Sequence, residues 1–185
     1  YLTKEGKTII ADKHSKLIDY DGAPARLTMI HDITEQFHLQ KEIEENKNLL
    51  SSIFENSGTL IYMKDIDGRY TMINRLWEET AEIERARVIG KTDWELFDEE
   101  TATQFVNNDQ EVLLTGISKE TEEILSKNGL SRYFITIKFP IKNAENEIVG
   151  ICGISTEITD RKYSEEAIRK LSRAVEQSPA SIVIT

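Results

Sequence analysis

The sequence predicts an α+β fold: an antiparallel sheet with its helices inserted after the second strand, flanked by amphipathic linker helices. Three observations predict it. An internal repeat has about the length of a domain, two turn dipeptides each close a pair of β-prone runs, and a helix-spaced stretch separates those pairs. Residues 49–63 (LLSSIFENSGTLIYM) return at 170–184 (KLSRAVEQSPASIVI), where Leu50, Ser51, Glu55, Ser57 and Ile61 meet Leu171, Ser172, Glu176, Ser178 and Ile182, 121 residues later. HDITEQ at 31–36 returns as TEITDR at 156–161, 125 residues later. Two anchors with nearly one period predict a tandem array of domain-sized units. Residues 1–34 read as the back half of a first unit, 35–56 as a linker helix and 57–160 as a complete unit. A second linker helix at 161–178 and the first strand of a further unit at 179–185 follow.

Within the complete unit, Thr59–Asp65 is apolar and β-prone and ends in the turn signal Asp67-Gly68, with Arg69–Ile73 as the returning strand. Asn74 is placed to cap a short helix, Arg75–Thr80. Short helical turns punctuated by Gly90 fill residues 82–97. Glu99–Thr115 is a longer helix with Ala102, Phe105, Val106, Asp109 and Leu113 on one face and Gly116 as its stop. Lys119–Ser126 turns at Asn128-Gly129 into Leu130–Ile141, and a loop over residues 143–146 leads to Glu147–Ile158. Residues 1–34 repeat the last hairpin, from Glu5-Gly6 through Asp21-Gly22 to the DIT run. In the first linker, Gln36, Leu39, Ile43, Asn46, Leu50 and Ile53 are spaced alternately three and four apart, as are Ile168, Leu171 and Val175 in the second. This spacing fits a coiled coil or a helix lying on its own domain.

The formal net charge of −10 disfavours nucleic acid and anionic membrane as partners. No apolar run approaches the roughly 20 residues that span a bilayer, so the fragment is expected to make no membrane contact. No signal peptide is visible, and any membrane anchor of a parent chain would lie outside this window. Cys152 is the single cysteine, which leaves no internal disulfide or cysteine metal cluster and fits a reducing cytoplasm.

The order of elements, together with Asp67-Gly68, Asn74, GKTDWELF (90–97), DQEVLLTG (109–116), KFP (138–140) and EITDRK (157–162), resembles a PAS domain. The serial arrangement is similar to that of bacterial and archaeal sensor histidine kinases and diguanylate cyclases. The resemblance implies a PAS-like five-stranded antiparallel sheet with short helices on one face, closing over a small pocket. It also implies signal transfer from the last strand through the Asp-Ile-Thr element into the following helix. The expected joint residues are Asp32 and Thr34 in the first unit, and Glu157 and Thr159 in the second. Each threonine hydroxyl is placed to cap the helix, with acids near its positive end.

Haem-binding PAS units resemble one another in a histidine on the long helix. There is none after His38, so histidine-ligated haem is not expected in residues 57–160. Flavin photoreceptors of the family carry Asn-Cys-Arg where this chain has Thr92, Asp93 and Trp94, so a cysteinyl-flavin adduct is not expected either. The cofactor is otherwise unknown, and no metal site is expected.

Matching Pro140 and Thr159 to the family's frame turns Phe134, Thr136, Lys138, Ile151, Gly153 and Ser155 toward the pocket. With Tyr62, Met72, Trp77, Thr92, Asp93, Leu96, Phe105 and Ile124 they form the expected ligand pocket. The other phase, Tyr133, Ile135, Ile137 and Ile154, is expected outside, under a linker helix or a partner subunit, and Leu39, Ile43, Leu50 and Ile53 join it as interface candidates. Lys138 either pairs with Glu122, meets an acidic ligand, or reaches solvent at the strand end. Trp77 and Trp94 read as core residues, and so does Cys152. Glu122 and Glu123 face opposite ways and cannot form one acid pair. His31-Asp32 belongs to the joint, and no ATP-binding glycine-rich loop is present. The expected function is a non-catalytic sensory or signal-relaying module, a homodimer, coupled to an output domain beyond residue 185 and with room for a small-molecule ligand. The alternative is a ligand-free dimerisation or spacer module.

Overall fold

The structure, a computed structural model, describes residues 1, 6–127 and 130–176. The expected Glu5-Gly6 and Asn128-Gly129 turns fall wholly or partly outside these residues. So do the end of the second linker and the strand expected at 179–185. The chain divides into two compact units, Tyr1–Ile53 and Phe54–Thr185.

In the first unit, β1 (Ala11–Tyr20) and β2 (Ala23–Asp32) form an antiparallel hairpin that pairs Tyr20 with Ala23 and Ala11 with Asp32. Asp21 (φ 57°) and Gly22 (φ 75°) are both left-handed. A two-residue turn that matches strand twist needs this conformation, and Asp-Gly supplies it at little cost. Helix α1 (Thr34–Glu55) follows, and none of its residues is buried.

The second unit begins with β3 (Leu60–Asp65) and β4 (Tyr70–Ile73). Helices α2 (Arg75–Ala81), α3 (Arg85–Val88), α4 (Asp93–Leu96) and α5 (Glu99–Thr115) come next. Strands β5 (Lys119–Lys127), β6 (Leu130–Lys142) and β7 (Ile148–Glu157) and helix α6 (Thr159–Glu176) complete it. The five strands form one antiparallel sheet in the order β4-β3-β7-β6-β5. The first and last strands of the unit are therefore neighbours at its centre, and the helices cover the face that holds the core.

Local chemistry fixes the elements. Asn74 is fully buried; its Oδ1 accepts the amides of Trp77 (3.1 Å) and Ile61 (3.0 Å), and its Nδ2 donates to the carbonyls of Phe54 and Thr59. One side chain thus caps α2 and ties it to the start of β3. Asp98 caps α5 at the Thr101 amide, and Gly116 ends that helix in the left-handed conformation (φ 65°).

Two expectations about faces are corrected. Met72 is not a pocket residue. A bulge in the β3–β4 ladder pairs Tyr62 with Ile73 but Lys64 with Tyr70, so Tyr70 and Ile73 point inward and both Thr71 and Met72 point out. Ile124 also faces out, because it stands opposite Tyr133 on the outer phase, while Glu123, opposite Phe134, and Leu125 face in.

Candidate functional site

The inner face of the sheet has an aromatic half and an ionic half. In the aromatic half, a cavity of about 40 Å³ lies between the sheet and the helices. The rings of Tyr62, Tyr70, Trp77, Phe97, Phe105 and Phe134 wall it. Neighbouring rings meet edge-on or tilted, with centroids 5.3 Å apart for Tyr70–Trp77 and 5.4 Å for Phe97–Phe105. Polar groups line the rest: Thr80, Glu123, and the hydroxyls of Thr136 and Ser155, which bond to each other at 2.9 Å. The Tyr62 ring sits against Gly153, its partner in the β3–β7 ladder, where any Cβ would overlap it. That glycine is required by close approach.

The ionic half holds five charged side chains, none more than 4% exposed: Lys64, Lys138, Asp93, Asp109 and Glu123. Lys64 Nζ bonds to Asp93 and, at 2.7 Å, to Asp109. Lys138 Nζ bonds to Asp109 at 2.6 Å and to Glu123 at 2.8 Å. The Tyr70 hydroxyl donates to Asp93 at 2.8 Å, and Asn108 Nδ2 donates to Glu123 Oε1 at 3.0 Å. Asp109 therefore bridges both ammoniums. Such a cluster persists in a dry interior only because each charge meets opposite charges at hydrogen-bond distance. Burial alone would lower the pKa of Lys138, but Glu123 and Asp109 outweigh it and hold the ammonium above its ordinary value. Burial, reinforced by Glu123 and the two aspartates, pushes the Tyr62 phenol well up, and burial with Asp93 does the same to Tyr70.

Lys138 thus neither reaches solvent nor pairs with Glu122. Glu122 is on the outer phase and takes Lys162 at 2.7 Å, while Glu123 turns inward. Of the remaining candidates, Tyr62, Trp77, Phe105, Phe134, Thr136 and Ser155 line the cavity. Asp93 and Lys138 lie in the ionic cluster, and buried Ile151 pairs with Lys64 on the neighbouring strand. Leu96 packs against the core beside the cavity. Thr92 caps α4, its hydroxyl engaged by Glu95. Trp94 is 53% exposed rather than core, because α4 turns Asp93 inward to Lys64 and the next side chain outward. Cys152 is buried, which raises its thiol to about 11. Lys64 escaped the sequence reading. Its signal was a lysine in the same strand phase as Leu60 and Tyr62, a position that demands a buried acid.

The joint into α6 is built from the neighbouring strand. Thr159 Oγ1 donates to Glu157 at 2.7 Å and accepts the Tyr133 amide at 3.0 Å, and the Ile158 amide donates to the Tyr133 carbonyl. The hydroxyl therefore pins the helix to β6 and does not cap its own amides as expected. Arg132 holds Glu157 through two hydrogen bonds (3.0 and 2.6 Å), and its remaining nitrogen donates to the Thr80 carbonyl at the cavity wall. The guanidinium keeps the Glu157 carboxyl below its usual range.

Of the expected interface residues, Leu39, Ile43, Leu50 and Ile53 are exposed along α1. On the outer sheet face Ile137 is exposed and Ile135 and Ile154 are half-buried, while Tyr133 meets Tyr163 of α6 edge-on. No described helix is long and apolar enough to cross a membrane, and among the described residues no group of acids, histidines and cysteines is arranged to hold a metal ion.

A five-stranded antiparallel sheet with helices on one face, a small interior cavity and a last strand running into a helix defines an α+β module of one sheet and one helical layer. The family model for the PAS fold matches residues 54–163, and the chain belongs to the PAS family. Among curated proteins it is similar to the methanogenesis regulatory histidine kinase FilI of Methanothrix harundinacea, at 26% identity over 163 residues covering 85% of this chain and 18% of the relative. It is also similar to a diguanylate cyclase of Vibrio cholerae, at 29% identity over 137 residues covering 71% of this chain and 43% of the relative. The chain thus spans less than half of either relative. Among solved structures, the PAS domain of a Colwellia psychrerythraea protein superposes with a TM-score of 0.53 at 18% identity, over 61% of this chain and 97% of that one. The likeness to that structure is one of fold.

Proposed function

We propose that residues 54–176 form a sensory relay that couples the state of the interior cavity to the position of α6, and through it to an output domain of a longer parent chain. The observation that carries this reading is a continuous set of hydrogen bonds. The Thr80 carbonyl at the cavity wall accepts from Arg132, Arg132 holds Glu157, and Glu157 accepts from Thr159 at the start of α6. A change in the cavity that shifts α2 or β6 therefore loads the joint directly. The kinase and cyclase relatives support a kinase or a cyclic-dinucleotide enzyme as the output. The unit itself has no catalytic role in this reading: its buried acids are all engaged with lysines. A cavity of about 40 Å³ is far below the roughly 300 Å³ and more of drug-sized ligand sites, so the ligand is very small or the module relays strain alone. The exposed apolar stripes of α1 and α6 (Ile168, Leu171, Val175) support a parallel coiled-coil homodimer.

The test is the distance between spin labels on β5 (Ser126→Cys) and α6 (Arg169→Cys) in a Cys152→Ser background. Gly153→Ala, which forces Tyr62 from its seat, should shift the distance distribution, and adding Arg132→Met should abolish the shift. A distribution indifferent to Gly153→Ala in folded protein would contradict the relay.

A further inference from the structure

We propose that the cavity takes a small organic ammonium ion, of the size of methylammonium, with Glu123 and the aromatic walls as its recognition elements. This rests on the sensory reading above and names the ligand class of the same site.

Charge is the first argument. The ionic half holds three carboxylates, Asp93, Asp109 and Glu123, against two ammoniums, Lys64 and Lys138. With every group ionised, one negative charge is left over among side chains that are almost fully buried, and a monovalent cation neutralises it. The surplus has a direction. Asp93 and Asp109 are each engaged through both oxygens. Glu123 meets Lys138 and Asn108 at Oε1, and among the described residues no side chain makes a hydrogen bond to Oε2. Glu123 is 4% exposed and lines the cavity. Oε2 is thus the oxygen of this cavity-lining side chain left for a further donor.

The walls agree with a cation. Six aromatic rings surround the space, and ring faces attract an ammonium most strongly where water is excluded. The ionic half already uses this contact: Lys64 Nζ lies 4.5 Å from the centre of the Tyr70 ring and Lys138 Nζ 5.5 Å from that of Phe105. Tyr62, also lining the cavity and 6% exposed, has a hydroxyl with no hydrogen-bond partner among the described residues. It is a second acceptor for an N–H group. The size agrees as well: 40 Å³ offers about three water-sized positions, enough for an ammonium with one or two methyl groups. A carboxylate ligand is disfavoured, since it would meet Glu123 with no free cation to answer it.

The experiment titrates the 185-residue chain, as Trp94→Phe so that Trp77 is the reporter, with methylammonium chloride. Sodium chloride at equal ionic strength and methanol, a neutral molecule of the same heavy-atom count, are the controls. Saturable quenching or enhancement by methylammonium alone is expected. Glu123→Gln should weaken it by about tenfold or more, and Tyr62→Phe, which keeps the ring and the fold, by a few-fold. The Tyr62→Phe titration keeps the test decisive if Glu123→Gln does not fold. An equal response to methanol, a response matched by sodium chloride, or none in folded protein overturns the proposal. The spin-label experiment uses no ligand, so the relay reading stands or falls separately.

Discussion

In the joint between β2 and α1, Thr34 Oγ1 donates to Asp32 at 2.6 Å and accepts the Ile10 amide at 2.9 Å, while the Ile33 amide donates to the Ile10 carbonyl. In the joint between β7 and α6, Thr159 does the same with Glu157 and Tyr133, and the Ile158 amide donates to the Tyr133 carbonyl. The two differ in what stands behind them. Arg132 precedes Tyr133 and links Glu157 to the cavity wall, whereas Ile9 precedes Ile10 and offers no charge to Asp32. Asp32 instead turns one oxygen to the Thr34 amide. The joint is thus a local device that short sequence specifies, and the hydrogen-bonded link from it to the cavity wall is a separate feature that one arginine supplies.

The ionic cluster gives the largest expected difference between the units. Asp109→Ala strips a shared counter-ion from Lys64 and Lys138 and should destabilise the second unit by about 3–5 kcal/mol, read as the midpoint of urea unfolding. A loss under about 1 kcal/mol would show that the cluster contributes little to the fold. Next is Gly153→Ala, where the added methyl collides with Tyr62; about 1–3 kcal/mol is expected. Unchanged stability would mean that the ring moves freely.

Smaller effects separate the joints. Arg132→Met should cost about 1 kcal/mol, a modest figure because the Arg132–Glu157 pair is roughly one-third exposed and screened. Its pH dependence has a definite sign. The folded pKa of Glu157 lies below the ordinary 4.5, so the contribution is complete above that value and is lost as pH falls through the lowered one. The stability gap between wild type and Arg132→Met should close on acidification below about 4, and a gap that widens there would refute the assignment. Smallest is Thr34→Val against Thr159→Val, each about 1 kcal/mol or less. Only the second should loosen the link to the cavity wall, seen as faster exchange of the α6 amides.

How much was legible follows from the same residues. The order of elements along the chain, the Asn74 cap, the Gly116 stop and the Asp67-Gly68 turn were readable because each acts over a few residues. The inward phase of β6 and β7 followed from matching Pro140 and Thr159 to the family's frame. The joint threonines were located but not their bonds to the neighbouring strand. Met72 was misplaced because a bulge changes phase without a sequence mark. The choice of Glu123 over Glu122 depended on register across β5 and β6, a non-local property. Lys64 and Asp109 meet across 45 residues of chain, so only the fold reveals the cluster. Arg132 was missed as well, since its role appears only when Thr80 and Glu157 are seen on either side of it.

Hydrogen exchange resolved along α6 in the 185-residue chain most directly tests whether the interior drives that helix. With Gly153→Ala as the disturbance, protection in the first turn of α6 should change, the first turn of α1 after Thr34 should not respond, and Arg132→Met should remove the α6 response. Equal responses in both helices, or an α6 response that survives the loss of Arg132, would contradict it.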